Sequence, residues 1–324
     1  MASLKFNTVY IKDAFTIAGP LESEGQIRKF DLCMDDYYYG EKTFIDTEIK
    51  MQRVVIDNLL YKNKLGKKID VLIGGDLSNQ LTITNFAAKN FDIPFLGVYS
   101  ACASFAESML IASQFIENNS IKYAICITSS HNLNAERQFR FPIEYGAPRA
   151  RTTTFTATGS VGAILTSDKG SVRVESATIG RVQDYNQKDA SHMGAVMTPA
   201  AASVLMEHLS DLKRNVDYYD LILTGDLGEI GSNILKEFLK VNYGLKLKNH
   251  MDAGCEIFLK SQEVYAGSSG PVTLPLVLFN KVLKNKKFKK ILIIATGSLH
   301  SKDTTNQSKT IPSIAHAISL EVLS

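Results

Sequence analysis

The stretch Asp70-Val-Leu-Ile-Gly-Gly-Asp76-Leu77 occurs a second time, in closely similar form, as Asp220-Leu-Ile-Leu-Thr-Gly-Asp226-Leu227. Each copy is a short apolar run that ends in Gly-Asp-Leu. A second pair follows in the same order, because Ile125-Cys-Ile-Thr-Ser-Ser130 is matched by Ile293-Ile-Ala-Thr-Gly-Ser298. Collinear repeats of this kind predict an internally duplicated fold.

Short apolar runs of the β type alternate with helix-type stretches along the whole chain. This alternation predicts an α/β fold with largely parallel sheets buried on both faces. With 324 residues, 45% of them hydrophobic, the chain can form two halves of ordinary domain size. We place these halves at 1–168 and 169–324. We expect them to pack as one body, because the join at Asp168-Lys-Gly170 is too short for a flexible tether.

The predicted elements follow one order in both halves. In the first half they are strands at 9–17, 71–74, 95–99, 123–128 and 159–166, helices at 46–61 and 85–90, and a long helix beginning at Cys102. In the second half they are 172–179, a helix at 199–212, then 221–224, 234–239 and 256–259, a helix at 272–283, and finally 291–295 and 314–320.

The overall charge gives no sign of a strongly anionic partner. Its formal value is +3, from 36 basic and 33 acidic residues, so nucleic acid is not expected as a partner. The local exception is Lys281-Val-Leu-Lys-Asn-Lys-Lys-Phe-Lys-Lys290, which is more typical of a solvated helix end and loop than of a docking patch for anionic lipid. No apolar run approaches the roughly 18 to 20 residues that cross a bilayer, so any membrane association is expected to be peripheral.

Four cysteines, Cys33, Cys102, Cys126 and Cys255, lie far apart without the spacing of metal ligands. Since no secretory apolar segment precedes them, we expect reduced thiols, no structural zinc and no cofactor. Cys102 differs from the others because Phe95-Leu-Gly-Val-Tyr99 leads through it into the long helix. A helix N-terminus stabilises negative charge, which would serve either a nucleophilic thiolate or the carboxylate of a ligand.

Several motifs carry a family resemblance. Two such halves, a cysteine at the third helix of the first, and the glycine-rich Thr158-Gly-Ser-Val-Gly-Ala163 resemble the thiolase fold of thiolases and β-ketoacyl synthases. A longer set, spread over essentially the whole chain, is similar to the stage V sporulation protein AD family. Its members here are Gly75-Asp-Leu-Ser-Asn-Gln80, Ser100-Ala-Cys-Ala-Ser104, Ser129-Ser-His-Asn132, Ala135-Glu-Arg-Gln-Phe-Arg-Phe-Pro142, Glu144-Tyr-Gly146 and Gly225-Asp-Leu227.

The resemblance implies a thiolase-like fold, in which internally duplicated βαβαβαββ halves pack as a layered αβαβα body. It implies a non-enzymatic protein that binds dipicolinic acid (pyridine-2,6-dicarboxylate) and helps to move it into the developing spore. The implied partners are the membrane channel components of the stage V sporulation protein A group, and a second copy in a homodimer whose first halves meet across a two-fold axis. The implied location is soluble or peripheral at the forespore or spore inner membrane, and calcium accompanies dipicolinate by family analogy.

The second half departs from the condensing enzymes where those enzymes carry catalytic groups. Initiating β-ketoacyl synthases have His-Gln-Ala-Asn where this chain has Gly225-Asp-Leu-Gly228. Their Gly-Asn-Thr-Ser, and the Gly-His-Pro of thiolases, correspond to Gly267-Ser-Ser-Gly-Pro271. The late thiolase cysteine corresponds to Thr296-Gly-Ser-Leu-His300, in which His300 is a shifted stand-in. Because a cysteine nucleophile needs a base and groups that stabilise developing charge, we expect a binding site and no enzyme.

A dicarboxylate needs two anion-recognising positions and a flat slot for its ring, and guanidinium groups suit paired carboxylate oxygens. Arg137 and Arg140 are candidates for the first, with Tyr145 or Phe139 beside the ring. The alternative for each arginine is an ordinary ion pair, such as Arg137 with Glu136.

His131 follows a strand, where side chains face the crevice typical of α/β sites, and it is either a ligand donor or a structural one. Asp76 and Asp226 occupy equivalent places, so we expect both to cap the following helix. Asp76 has the better claim on the pocket because it belongs to the half with Cys102, and by analogy it could meet calcium. Asn79 would add an amide donor. The full set of candidates is Cys102, His131, Asp76, Asn79, Ser104, Arg137, Arg140 and Tyr145.

Two other function classes stay open at this point. A thiolase or β-ketoacyl synthase type of enzyme would transfer acyl groups through Cys102, and it would leave an acyl group there after exposure to acyl-CoA. A structural assembly factor would keep the fold but bind no small anion, so that only binding data separate it from the dipicolinate protein.

Overall fold

We describe residues 3–139 and 149–323 of a computed structural model of the chain. The first half contains strands and helices in the order β1 (Ser3–Lys5), β2 (Tyr10–Ala18), α1 (Pro20–Ser23), β3 (Leu32–Cys33), α2 (Phe44–Asn63), β4 (Val71–Gly75), α3 (Thr82–Ala88), β5 (Phe95–Gly97), α4 (Ser104–Glu117), β6 (Tyr123–Ser130), α5 (Asn132–Phe139), β7 (Phe155–Thr156) and β8 (Gly159–Thr166).

The second half repeats this order with small variations. Its elements are β9 (Val172–Thr178), α6 (Met193–Leu212), β10 (Leu221–Thr224), α7 (Gly228–Tyr243), β11 (His250–Asp252), β12 (Ser268–Ser269), α8 (Thr273–Val277), β13 (Lys290–Ser298), α9 (Lys302–Asn306) and β14 (Ser313–Val322). A π-helical segment, Leu278–Val282, continues α8.

The strand order shows the duplication that the sequence predicts. The first half has the order β2-β8-β6-β4-β5, and the second half has the equivalent order β9-β14-β13-β10-β11. In each half, two inner pairs are parallel (β4 with β5 and β6; β10 with β11 and β13), and the strand that ends the half is antiparallel to its neighbours. The halves are joined because β2 pairs with β9, with Tyr10 opposite Arg173 and Ile11 opposite Val172.

Individual hydrogen bonds repeat as well. Asp70 accepts from two backbone N–H groups at the start of β6, each at 2.8 Å, and Asp220 accepts from the corresponding pair at the start of β13, at 2.7 and 2.8 Å. The Thr128 hydroxyl donates to the last carbonyl of β4, and the Thr296 hydroxyl donates to the carbonyl that follows β10. The repeated aspartates therefore tie neighbouring strands together, which explains why the pattern Asp-apolar-Gly-Asp-Leu occurs twice.

Helix α2 shows how local sequence positions a layer. Thr43 caps its first turn by accepting from a backbone N–H, and Lys64 ends it in the left-handed conformation. Its buried face carries Val55 and Leu59 onto β8, where a Cβ added at Gly162 would lie 2.7 Å from a Val55 methyl group. Each fully buried aliphatic side chain of this kind stabilises the fold by about 1.5 to 3 kcal/mol.

Helix α4 is the central helix, as its apolar sequence predicts. It packs against β4, β6 and β8 of the first half and against β13 and β14 of the second. Phe105 meets Phe279 edge to face, with the ring centroids 6.1 Å apart. This position, in contact with strands of both halves, agrees with the layered thiolase-like arrangement.

Several predicted element positions were wrong. Helix α4 begins at Ser104 and not at Cys102, and α6 begins at Met193, well before Pro199. The strand equivalent to β5 is β11, which pairs with β10 through His250, whereas the prediction placed it at 256–259. The apolar pattern there reflects burial alone, since Ile257 and Phe258 lie in the hydrophobic core without strand pairing.

Among residues 3–139 and 149–323, the structure contains no helix with the length and apolar character needed to span a bilayer.

Candidate functional site

Cys102 lies in a tight turn between β5 and the start of α4. Hydrogen bonds of the Ser104 side chain to the backbone stabilise this turn: Ser104 Oγ accepts from the Ser100 N–H at 3.0 Å and donates to the Ala101 carbonyl at 2.8 Å. Ala101 has a φ of +49°, a left-handed conformation that a residue with a Cβ adopts only when its surroundings impose it. Ser104, a predicted ligand contact, therefore holds the turn and presents Cys102.

Two glycines bring the second half against this turn. A Cβ at Gly297, in β13, would lie 2.1 Å from the carbonyl oxygen of Ser100. Gly270, before α8, has a φ of +101°, and a Cβ there would lie 2.9 Å from Ser130 Oγ. Because backbone atoms leave no room for a side chain at Gly297, only glycine permits this approach.

Asp226 is the second-half residue that contacts Cys102. It follows β10, is buried and has a φ of +50°. Its carboxylate accepts from the Cys102 thiol, from the Gly270 N–H at 3.1 Å and from the Thr296 hydroxyl at 2.9 Å. The expectation that Asp226 caps the following helix was wrong, because its oxygens are directed at Cys102 and its neighbours.

The electrostatics of this contact favour a neutral thiol. Burial, together with the charge and hydrogen bonding of Asp226, raises the pKa of Cys102 well above its usual value, and the Gly270 N–H only partly opposes this. Burial also raises the pKa of Asp226 to about 6. Since the thiolate is the nucleophilic form of cysteine, the arrangement makes Cys102 a weak nucleophile.

A second buried carboxyl supports the loop that carries Asp226. Asp252 accepts from the Thr224 hydroxyl at 2.6 Å and from the backbone N–H groups of Leu227 and Gly228 at 3.2 and 2.9 Å. Burial, with a smaller contribution from the charge of Asp226, raises the pKa of Asp252 to about 7. Asp252 thereby fixes the turn after β10 and holds Asp226 in place.

Two second-half histidines reach the same region. His316 Nδ1 accepts from the Gly180 N–H at 3.3 Å, and its Nε2 lies 3.4 Å from Ser100 Oγ. Burial lowers the pKa of His316 to about 4, so the ring is neutral at neutral pH. His300 stacks on Phe139, with the ring centroids 5.3 Å apart. The stack connects α5 of the first half to the segment after β13, and Phe139 and Cys102 pack against the same small cluster of Leu77, Ala101 and Ala135.

Asp76 has the structural role that its repeat position predicts. One carboxylate oxygen accepts from the Ser78 N–H at 2.8 Å, and the other accepts from the Thr84 N–H at 2.8 Å and the Thr84 hydroxyl at 2.6 Å. It therefore caps the first turn of α3. Glu48 lies nearby, and burial together with the charge of Asp76 raises the pKa of Glu48 to about 8.

His131 uses both ring nitrogens on the backbone. Nε2 donates to the Tyr37 carbonyl at 2.9 Å, and Nδ1 accepts from the Leu133 N–H at 3.2 Å. The ring stacks on Phe44, and burial lowers its pKa to about 4. In this structure His131 has the bonding of a structural donor, which is one of the two interpretations that the sequence leaves open.

Arg137 and Asn79 are exposed, and the hydrogen-bonding partners of Cys102 are Asp226 and Gly270 instead. The Arg137 guanidinium lies 5.7 Å from the centroid of the Phe44 ring, and Glu136 pairs instead with Arg149 at 3.0 Å. The Asn79 N–H donates to Gln138 Oε1 at 3.0 Å. Arg140 and Tyr145 lie outside the described residues.

A narrow crevice lies beside Glu48 and His131, and in this structure it has no room for a water molecule. Its walls include Leu77 and Ala135, which also pack with Ala101 and Cys102. The crevice is lined by Glu48, Leu77, Ser78, His131, Asn134, Ala135 and Gln138. No group of three or more metal-ligating side chains that could hold an ion occurs within the described part of the chain.

Comparison with known proteins identifies the family. The family model described as Stage V sporulation protein AD matches residues 2–321. The chain belongs to the stage V sporulation protein AD family. It is 39% identical over 319 residues to Stage V sporulation protein AD of Bacillus subtilis (strain 168), a match that covers 97% of this chain and 94% of the relative.

Solved structures show the fold of this stage V sporulation protein AD family member. A variant of OleA from Xanthomonas campestris matches with a TM-score of 0.63 and 14% identity, covering 98% of this chain and 99% of that one. The 3-oxoacyl-[acyl-carrier-protein] synthase III of Aquifex aeolicus matches with a TM-score of 0.58 and 14% identity, covering 97% and 99%. At this identity the likeness shows the fold alone, and that fold is thiolase-like.

Sequence reasoning missed Asp226, Gly270 and Thr296 as members of the Cys102 site. A signal for Asp226 was present, because Gly-Asp-Leu stands where initiating synthases have a histidine. Its equivalence with Asp76 concealed that signal, since two members of a repeat are expected to share one role. Gly270 and Thr296 lie in the two other stretches that correspond to catalytic motifs of those enzymes, but each acts through a backbone N–H or a hydroxyl that many residues could supply, so the stretches did not single them out.

Proposed function

We propose that this protein binds dipicolinate as a non-enzymatic member of the sporulation machinery and presents it to membrane channel components of the stage V sporulation protein A group. Family membership supports the sporulation role. The observation that carries the binding role is the contact between Asp226 and Cys102. The pocket keeps its thiol, but a carboxylate holds that thiol in the neutral form.

A dianion beside Asp226 has a definite physical consequence. Its negative charge would raise the pKa of Asp226 further above the value of about 6 in the unliganded protein. Binding at this site is therefore accompanied by proton uptake near neutral pH, and the protonated carboxyl group can donate a hydrogen bond to a ligand carboxylate. The flat ring would lie near the Phe139 and His300 stack.

Calorimetric titration of dipicolinate tests the proposal. Wild-type protein and Cys102→Ala are titrated with and without calcium, in two buffers of different ionisation enthalpy. Cys255→Ala, which changes a partly exposed thiol elsewhere in the second half, is the matched control. We expect saturable binding with proton uptake in wild type and control, and weaker binding in Cys102→Ala. A binding enthalpy that changes when calcium is present would indicate that the metal is part of the complex. The absence of saturable dipicolinate binding under all conditions would refute the proposal.

An acyl-transferring enzyme is the second candidate. It is favoured by the thiol in its strained turn and by the enzymes among the structural neighbours. Mass spectrometry after incubation with acetyl-CoA and malonyl-CoA separates the two. We expect no adduct on Cys102, whereas an acyl group there, without dipicolinate binding, would establish the enzyme.

We also propose that two copies associate through the β5 end of the sheet. β5 ends the strand order, and Leu96 on it is 39% exposed, beside α3 with its exposed Phe86. Apolar groups on an open sheet edge favour pairing with another chain. Light scattering should give a dimer mass for wild type and a monomer mass for Leu96→Glu, while a monomeric wild type would refute this arrangement.

A further inference from the structure

Three loops of the second half meet at one edge of the sheet. Each precedes one of the parallel strands β10, β11 and β13, so that the amino ends of these strands lie side by side. Contacts between the loops are direct: Asp220 accepts from the backbone N–H groups of Lys289 and Lys290, and Asn249 donates to the carbonyls of Val216 and Tyr219. Sequence segments far apart in the chain thus form one continuous surface.

This surface is rich in lysine. We name it the basic edge and define it by the exposed lysines Lys213, Lys246, Lys248, Lys284, Lys286, Lys287 and Lys289. Exposed carboxylates on the same edge are Asp217 and Asp220, and Asp220 is hydrogen-bonded to backbone. The basic edge therefore has a large local excess of positive charge, although the whole chain has a formal charge of only +3.

Salt bridges within the protein do not explain the presence of most of these lysines. Within the lysine-rich run, Lys281 pairs with Glu256, and Lys290 pairs with Glu175 and Glu321. Among the described residues, no carboxylate lies within salt-bridge distance of Lys286, Lys287 or Lys289. Stabilisation of a helix C-terminus could explain Lys213, which follows α6, but Lys286 to Lys289 precede a strand.

Apolar side chains stand at the same edge. Val241 and Tyr243, in the last turn of α7, are 71% and 49% exposed. Gly244 ends the helix in a left-handed conformation, and the chain then leads through Lys246 and Lys248 into β11. Lysines that surround exposed aliphatic and aromatic groups are typical of surfaces that bind the interface of an anionic bilayer, where the amphipathic tyrosine ring is favoured.

We propose that the basic edge docks the protein on an anionic phospholipid membrane. The proposal deepens the membrane role put forward above by naming its surface, and it does not require dipicolinate to be bound. It also sets an orientation. Asp220 and Asp226 lie at opposite ends of β10, about 20 Å apart at most for six residues of extended chain. The Cys102 site then lies on the side that faces away from the lipid.

Vesicle sedimentation of the chain 1–324 tests the proposal. Vesicles of phosphatidylcholine with phosphatidylglycerol are compared with vesicles of phosphatidylcholine alone, at low and at high salt. The variant Lys286→Gln/Lys287→Gln/Lys289→Gln removes three charges that each contribute about 1 kcal/mol near an anionic surface, so partitioning should fall about 100-fold. Val241→Ser/Tyr243→Ser should weaken the part of the vesicle binding that persists at high salt, because that part depends on apolar contacts.

The duplication supplies a matched control. Lys64→Gln/Lys67→Gln/Lys68→Gln removes three exposed lysines from the loop before β4, the first-half equivalent of β10, and should leave partitioning unchanged. Equal losses of vesicle binding in both triple variants would show that only the overall charge matters, and would overturn the proposal. Equal binding of the wild type to neutral and to anionic vesicles would also overturn it. Dipicolinate calorimetry on the first variant separates the two proposals, since intact ligand binding with lost vesicle binding is the expected result.

Discussion

Replacing Asp76 with alanine should destabilise the fold rather than affect a ligand directly. The substitution removes an acceptor that receives three hydrogen bonds, from the N–H groups of Ser78 and Thr84 and from the Thr84 hydroxyl. Hydrogen bonds to a charged group contribute about 1.5 to 3 kcal/mol each, and loss of a helix cap costs about 0.5 to 2 kcal/mol. Loss of repulsion with the nearby Glu48 offsets part of this. We therefore expect the free energy of unfolding to fall by about 3 kcal/mol.

Urea denaturation followed by circular dichroism measures this change, since the chain has no tryptophan for fluorescence. Asp76→Asn keeps one acceptor oxygen and should lose about 1 kcal/mol. Asn79→Ala is the control, because Asn79 is exposed and its hydrogen bonds to Gln138 and Thr82 use its backbone N–H and carbonyl groups. If Asp76→Ala unfolds within about 0.5 kcal/mol of wild type and yet fails to bind dipicolinate, Asp76 is a ligand contact and the capping argument is wrong.

Three further predictions follow from the described contacts. In Asp226→Asn the negative charge beside the thiol is gone, so iodoacetamide should alkylate Cys102 at lower pH than in wild type; an unchanged pH profile would contradict the role of Asp226. The pKa of Glu48 is about 8 in the folded protein against 4.5 unfolded, so wild type should lose stability as pH rises between these values. Glu48→Gln should lose less stability over this range, because the Glu48 contribution is gone while those of Asp226 and Asp252 remain; parallel urea midpoints for the two proteins across the range would count against it. Gly231→Ala should lower the free energy of unfolding by about 2 kcal/mol in urea, because its Cβ would lie 2.6 Å from Gly194 Cα; wild-type stability would show that α6 and α7 can move apart.

The fold was largely predictable because its signals are periodic and occur twice. Asp70 and Asp220 begin equivalent apolar runs, and each ties its strand to the next one. The prediction failed where residues are buried in the core but do not pair with a strand of the sheet. The apolar residues 256–259 are buried without entering the sheet, and the strand is formed by His250–Asp252, which has a polar residue at each end.

The site was predictable in part. Cys102 and its turn were placed correctly between strand and helix, and Asp76 was correctly expected to cap a helix. The contact of Asp226 with the thiol depends on the packing of one half against the other, which no local pattern records. It requires Gly297 to admit the Ser100 carbonyl and Gly270 to present its N–H, and both are consequences of tertiary structure.

The Cys102 turn belongs to the first half, but the groups that hold its thiol neutral come from the second. During synthesis on the ribosome, the nascent first half would emerge with a thiol of ordinary acidity. That thiol becomes shielded only after residues 226 to 296 have been translated and have folded against it. The rate at which a small alkylating reagent modifies Cys102 therefore reports when the two halves dock. Followed over time, it measures the folding of the whole chain.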